Sequence, residues 1–242
     1  MLWTSKITAL GRAMAMYPLA PRYAKMLLLS HQHELTQLCI TLVAALSVQE
    51  LMLDQPGGEN PGETFKKWIA QRRSFAGVGN LLLLGDPMVL LRAVGGAECS
   101  SDVETFCTEH GLRSKALREV RKLRVQLTNE TNVIIQQQQQ GSDRTAIVVD
   151  PSMKPPTDHE ARLLRQIMLA GLPDHVARKI PAEEIKESED RRKFKYAYRC
   201  PEMEDPVFLN PATILRNTAP DWIIYQVMPH QSIIIQPLLI NT

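Results

Sequence analysis

The chain has 242 residues, 44% of them hydrophobic, with 28 Lys and Arg against 26 Asp and Glu. That length suits one or two domains with cores of their own. The near balance of charge excludes a protein that holds nucleic acid through bulk electrostatics and leaves only local clusters. The cysteines, Cys39, Cys99, Cys107 and Cys200, form no CxxC pair, which argues against a zinc knuckle or a disulfide framework and fits a reducing compartment. Cys107 and His110 are the nearest thing to a metal pair, and two ligands do not make a site, so ordinary packing and no metal are expected. The apolar stretches near residues 35–53 and 81–94 are broken by Gln49, Glu50, Asp86 and Arg92. They fall short of the roughly 20 residues a membrane span needs, so no membrane partner is expected. Lys6 and Arg12 are followed by a mixed stretch and not by the apolar core of a signal peptide.

In chain order, ITALGRAMAMYPLAPRYAKML (residues 7–27) reads by itself as an amphipathic or targeting helix. From Tyr23 to about Leu53 the apolar residues Leu35, Leu38, Cys39, Leu42, Leu46, Leu51 and Met52 fall at helical spacing and predict two packed helices. DQPGGENPG, residues 54–62, is a loop by turn chemistry. A helix is expected from about Glu63 to Phe75, ended by Gly77 and Gly79. GDPMVLLRAVGGA starts another, with Asp86 as its N-cap and Pro87 where a missing N–H costs nothing. GVGNLLLLGD lacks the spacing and the lysine of a phosphate loop.

Residues 112–127, LRSKALREVRKLRVQL, form the clearest helix, with Leu112, Ala116, Val120, Leu123 and Leu127 along one face. Its other faces carry Arg113, Lys115, Arg118, Arg121, Lys122 and Arg124 against Glu119 alone. They read either as a solvated helix surface or as a cationic row that tracks a nucleic-acid backbone. QQQQQ and the following Gly, Ser and Asp read as a low-complexity linker. Beyond it AIVV, PVFL, DWIIYQVM and SIIIQPLLI are strand candidates, with one helix, about Asp158 to Ala170, embedded among them and capped by Thr157 or Asp158. That content suits a small open barrel. In RRKFKYAYR, Arg191, Arg192, Lys193 and Lys195 interleave with Phe194, Tyr196 and Tyr198. Here too two readings stand: a surface that pairs with phosphates and stacks on bases, or a hairpin whose aromatics face the barrel core.

No catalytic constellation emerges. His31, His33, His159 and His175 lie in no nucleophile or HExxH context, and there is no GxSxG.

Taken in order, ITALGRAMAMYPLAPRYAKML, GDPMVLLRAVG, FCTEHGLRSKALREVRKLRVQL, LRQIMLAGLPDHVARKI and DPVFLNPATILRNTAPDWIIYQ resemble the C-terminal region of DEAH-box RNA helicases, over about residues 7–226. PRYAKML and VVDPSMKPPT look most like the branch that works in nucleolar small-subunit ribosome assembly, remodelling a small nucleolar RNA bound to pre-ribosomal RNA. The resemblance implies a multidomain α+β chain. Residues 1–20 would be a winged-helix remnant, 21–130 a helical ratchet bundle, 131–144 a Gln-rich linker and 145–242 an OB-fold β-barrel.

The resemblance further implies a nuclear, nucleolar protein whose partners are single-stranded RNA (pre-rRNA or snoRNA), helicase motor domains and a G-patch-type activator or assembly factor. Charge and position assign backbone contacts to Arg118, Arg121, Lys122 and Arg124, with Arg192, Lys193 and Lys195 as a second RNA-binding set. The chain departs from the family at Asn210, Pro211, Ala212 and Thr213, where His-Pro-Ser-Ser is usual, and in its last strand. The motifs that hold ATP and magnesium in the family belong to motor domains this chain lacks, so no cofactor and no autonomous ATPase activity are expected of it. Two functions follow as expectations: an RNA-gripping accessory region, or a module that docks helicase activators. As the end of a winged helix, the first segment should be the least well held part of the fold, with Leu10, Met14 and Met16 short of packing partners.

Overall fold

The computed structural model describes residues 6–48, 51–53, 61–138, 146–150, 153–185, 191–201 and 203–226. Helix α1 (Ala9–Met14) begins where the Thr8 hydroxyl accepts the Gly11 N–H at 3.0 Å. Ile7, Leu10 and Met16 are exposed there, while Met14 packs against the core. Helices α2 (Pro21–Gln32) and α3 (Thr36–Ser47) are the two predicted from apolar spacing. Nine of the twelve residues of α3 are buried, as expected of a helix with apolar residues on most of its faces. Packed around it are α2, α6 (Asp86–Cys99) and α8 (Ser114–Gln138).

Helix α4 (Pro61–Ser74) starts two residues before the expected Glu63, and the predicted loop ahead of it lies almost wholly outside the described residues. Gly77, Gly79 and Gly85 take positive φ and turn the chain through the short α5 (Asn80–Leu83) into α6. Helix α7 (Val103–His110), which was not among the expected elements, is bounded by local chemistry. The Asp102 carboxylate accepts the Glu104 and Thr105 N–H groups, and Gly111 closes the helix in the left-handed conformation at φ 66°.

Three expectations change. Helix α8 is 25 residues long and runs to Gln138, so residues 131–138 are helix and not linker. Glutamine is a good helix former and the apolar face continues through Leu127, Thr131 and Ile134, all buried. Residues 146–149 form no strand, because their backbone groups are met by side chains. The Asn132 amide takes both polar groups of Ile147, at 2.7 and 2.8 Å, and Gln37 donates to the Val148 carbonyl at 2.8 Å. Helix α9 (Asp158–Gly171), opened by a Thr157/Glu160 capping box, is not embedded in the β half but lies on α2 within the helical core.

The sheet contains β1 (Val176–Lys179), β2 (Ala197–Arg199), β3 (Val207–Phe208) and β4 (Trp222–Ile224) in the order β3-β2-β1-β4, all antiparallel. The last strand returns beside the first, which is a Greek key. Strand β4 lies between two cores. Ile223 enters a small cluster with Ala177, Tyr198 and Val207, and Ile224 enters the helical core. The strand expected from SIIIQPLLI lies outside the described residues.

Asp86 also differs from expectation. Gly85 takes the N-cap position, and the buried Asp86 carboxylate instead accepts the Ile214 N–H at 3.2 Å, tying α6 to the loop between β3 and β4. Burial raises this carboxyl above its ordinary 3.8, opposed by the Ile214 amide, Arg72 and Thr213. A raised carboxyl favours the protonated fold, so this group adds stability below the ordinary value and loses it as pH rises through the raised one. Asp86→Asn keeps an acceptor and should flatten that part of the stability–pH curve, upward from pH 3.8. Asp86→Ala should cost about 1–3 kcal/mol in urea unfolding, because the Ile214 N–H loses its acceptor.

The α2–α9 contact depends on Gly171, where an added Cβ would sit 2.5 Å from Met26 Cγ and 2.9 Å from the Arg22 carbonyl oxygen. Gly171→Ala should therefore lower stability by about 1–3 kcal/mol in chemical denaturation.

Candidate nucleic-acid interface

The cationic row on α8 divides by what each side chain touches. Arg118 is exposed and pairs with Glu104 at 2.8 Å. Arg121 lies 2.9 Å from Glu98 and also reaches the Ala97 carbonyl. Arg124 is 4% exposed, bonds Glu98 at 3.2 Å and donates to the Asp150 carbonyl at 3.4 Å. Burial pulls its guanidinium below the ordinary value while Glu98 pulls back, the signature of a paired core cation. Among the described residues, Lys122 alone of these four is exposed and makes no ion pair. The sequence shows six cations on one helix, but it does not show that Glu98 on α6 and Glu104 on α7 meet three of them.

The second set also divides. Residues 191–194 form a helical turn, α10 (Arg191–Phe194), in place of a hairpin. Arg192 and Lys195 are exposed, and only the backbone of Lys193 is described. The aromatics are structural. Tyr198 is fully buried and donates to the Pro220 carbonyl at 2.6 Å, burial pushing its hydroxyl pKa upward. Tyr196 stacks under the Arg216 guanidinium at 3.9 Å, and Phe194 meets Phe208 edge-on.

Between these turns and the sheet lies a cavity of about 670 Å³. Its wall includes Arg178, Arg191, Phe194, Lys195 and Trp222, of which sequence reasoning missed Arg178 and Trp222. The signal for these two was present as the outward positions of strands, but it needs the register: Arg178 stands opposite both Arg199 and Trp222.

At the departures Asn210 and Thr213 the side chains make local polar contacts. The Asn210 side chain accepts the Ala212 N–H at 2.7 Å and the Thr213 hydroxyl caps Leu215. At the glycine turn a Cβ on Gly79 would lie 3.5 Å from an Asp158 carboxylate oxygen, Asn80 donates to that carboxylate, and Arg165 donates to the Asn80 side-chain oxygen at 3.0 Å. Among the described residues no three His, Cys, Asp or Glu side chains are grouped to hold a metal. His110 stacks on Phe106 at 4.0 Å, and burial pushes the Cys39 thiol up to about 12.

Residues 20–90 match the family described as "Helicase associated domain (HA2), ratchet-like". The chain is 49% identical over 225 residues to "Probable ATP-dependent RNA helicase kurz" of Drosophila melanogaster, covering 91% of this chain and 18% of that protein. It is 44% identical over 227 residues to "Probable ATP-dependent RNA helicase DHX37" of Homo sapiens, covering 91% and 19%. With "Putative ATP-dependent RNA helicase rha-2" of Caenorhabditis elegans the identity is 35%, over 92% and 19%. Residues 20–90 of the helical half thus match a helicase-associated, ratchet-like domain. The chain belongs to the DEAH-box RNA helicases as a C-terminal region of one, and it spans about a fifth of the length of the relatives it matches.

Two α8 substitutions separate structure from surface. Arg124→Ala should cost about 1–3 kcal/mol in denaturant unfolding, since Glu98 loses a buried partner. Lys122→Glu should stay within about 0.5 kcal/mol of the parent chain.

Proposed function

We propose that the chain is the RNA-gripping accessory region of a DEAH-box helicase that works in nucleolar ribosome assembly, on pre-rRNA or a small nucleolar RNA. The observation that carries this reading is a ratchet-like bundle joined to an antiparallel sheet that presents Arg178 and Arg199 side by side on one face. The likeness of PRYAKML and VVDPSMKPPT to the ribosome-assembly branch supports the narrower role. The Greek-key order supports an OB-fold for the β half, and α1 packed on α2 supports a winged-helix remnant before the ratchet. ATP and magnesium would be held by motor domains, and the ratchet and sheet would close over the strand leaving them.

Within this reading the contact set is redrawn. Lys122, Lys195 and Arg192 are exposed, and Arg118 is held only by a solvated ion pair, so these four meet phosphates. Arg121 and Arg124 position α8 against α6.

A second reading, docking of a G-patch-type activator or assembly factor, is supported by Ile7, Leu10 and Met16, exposed at 68%, 44% and 39%. Capture of such a factor that survives ribonuclease treatment favours it.

Titration with single-stranded RNA decides the first reading. Affinity should fall linearly on a log–log plot against salt. Lys122→Glu with Lys195→Glu should weaken binding and flatten the slope by roughly 0.7 for each phosphate no longer neutralised. An affinity that does not respond to salt overturns it.

A further inference from the structure

We infer that the outward face of the sheet carries a stacking site for one unpaired nucleobase, built on Trp222, with neighbouring phosphates met by Arg178 and Arg199. The inference rests on the RNA-binding reading and names a site within it.

The register places the three side chains together. Arg178 of β1 stands opposite Arg199 of β2 on one side and Trp222 of β4 on the other. Directly opposite residues share a face, and neighbouring strands lie about 4.8 Å apart, so the three form one cross-strand row. Two residues along, Val176 and Ile224 on that same face pack against the helical core. The row therefore marks where the face emerges from the bundle into solvent.

Trp222 is 40% exposed although the next two residues of its strand, Ile223 and Ile224, are at most 1% exposed. The strand is well held and still presents its largest aromatic outward, where burial would have stabilised the fold more. The Arg178 guanidinium stands 5.9 Å from the indole centroid, at the outer limit of a cation–π contact.

Trp222 and Arg178 both line two cavities. One is the space of about 670 Å³ that also carries Arg191, Lys195 and Phe194, and the other, of about 270 Å³, carries Arg199 and Pro201. The larger has the volume of a small-ligand site. Among the described residues, opposing charge comes from Asp221 at the first and Glu184 at the second, and Glu184 is held by Arg199 at 2.9 Å in a solvated pair that exchanges readily for phosphate. Cations at both cavities would also attract an acidic peptide, but such a peptide has no use for the indole face. A strand of RNA uses both, since any base stacks on an aromatic ring while its phosphates need cations. Lys179 is not part of the set, because its ammonium donates to the Ala219 carbonyl at 2.9 Å.

The test uses the full chain, a ten-nucleotide oligouridylate, a ribose-phosphate chain of the same length without bases, and a ten-residue polyglutamate, each followed by fluorescence anisotropy. The parent chain should bind oligouridylate better than the base-free chain. Trp222→Ala should weaken oligouridylate binding at least about fivefold and leave the base-free chain unchanged, and Trp222→Phe should restore most of the loss. Arg178→Glu should weaken both. Unchanged melting midpoints would show that the exposed positions act on binding alone. Oligouridylate binding that Trp222→Ala does not alter overturns this site while leaving the RNA-binding reading intact. Absence of salt-dependent oligouridylate binding by the parent chain overturns both. Polyglutamate binding of equal strength with the same dependence on Trp222 overturns the base site and assigns the face to an acidic peptide.

Discussion

The structure turns on the close approach of α9 to α2. Gly171 lets the end of α9 come within contact of Met26 and the Arg22 backbone, and through that contact a helix from the second half of the chain completes the core of the first half. Strand β1 begins five residues later, so the sheet starts from a helix already fixed in the bundle. Strand β4 returns with Ile224 in the same core, and Asp86 accepts the Ile214 amide from the loop that precedes it. The β half is thus pinned to the helical half by apolar burial at both ends of its path and by one buried carboxylate between. The direction each side of the sheet faces follows from those pins.

This arrangement explains how a nearly neutral chain presents local cationic surface. Carboxylates on α6 and α7 neutralise much of the α8 row, so that helix is held in register by its own charges. Strand alternation then puts Ala177, Tyr198 and Ile223 inward and Arg178, Arg199 and Trp222 outward. The first effect removes cations from the surface and the second concentrates them elsewhere.

Local signals were legible. The apolar spacing of α2 and α3 and a cap at Thr157 or Asp158 for α9 can be read from sequence because each depends on residues within a few positions, whereas α7, with its Asp102 cap and Gly111 stop, was not among the expected elements although its signals are equally local. What was not legible depends on distant partners. AIVV looks like a strand until Asn132 and Gln37 are seen to meet its backbone, and Asp86 looks like a cap until Ile214 arrives. Arg118 and Arg124 lie about 120° apart on a helical wheel, and Arg124 falls on the apolar face with Leu117, Val120 and Leu127, so its burial follows from spacing, but the Glu98 and Asp150 groups that satisfy it there do not. The order of segments carried the family, because order survives divergence that erases single contacts.

The side-chain clamp on residues 147–150 ties this segment to the packing of two helices. Asn132 grips Ile147 through both of its polar groups, and Gln37 and Arg124 hold Val148 and Asp150, so the chain is anchored on either side of the glutamine run. Gln37 belongs to α3, and Asn132 and Arg124 belong to α8, so the extended segment keeps its place only while those two helices stay packed. A shift of α3 against α8 would release Val148 and leave Ile147 and Asp150 held.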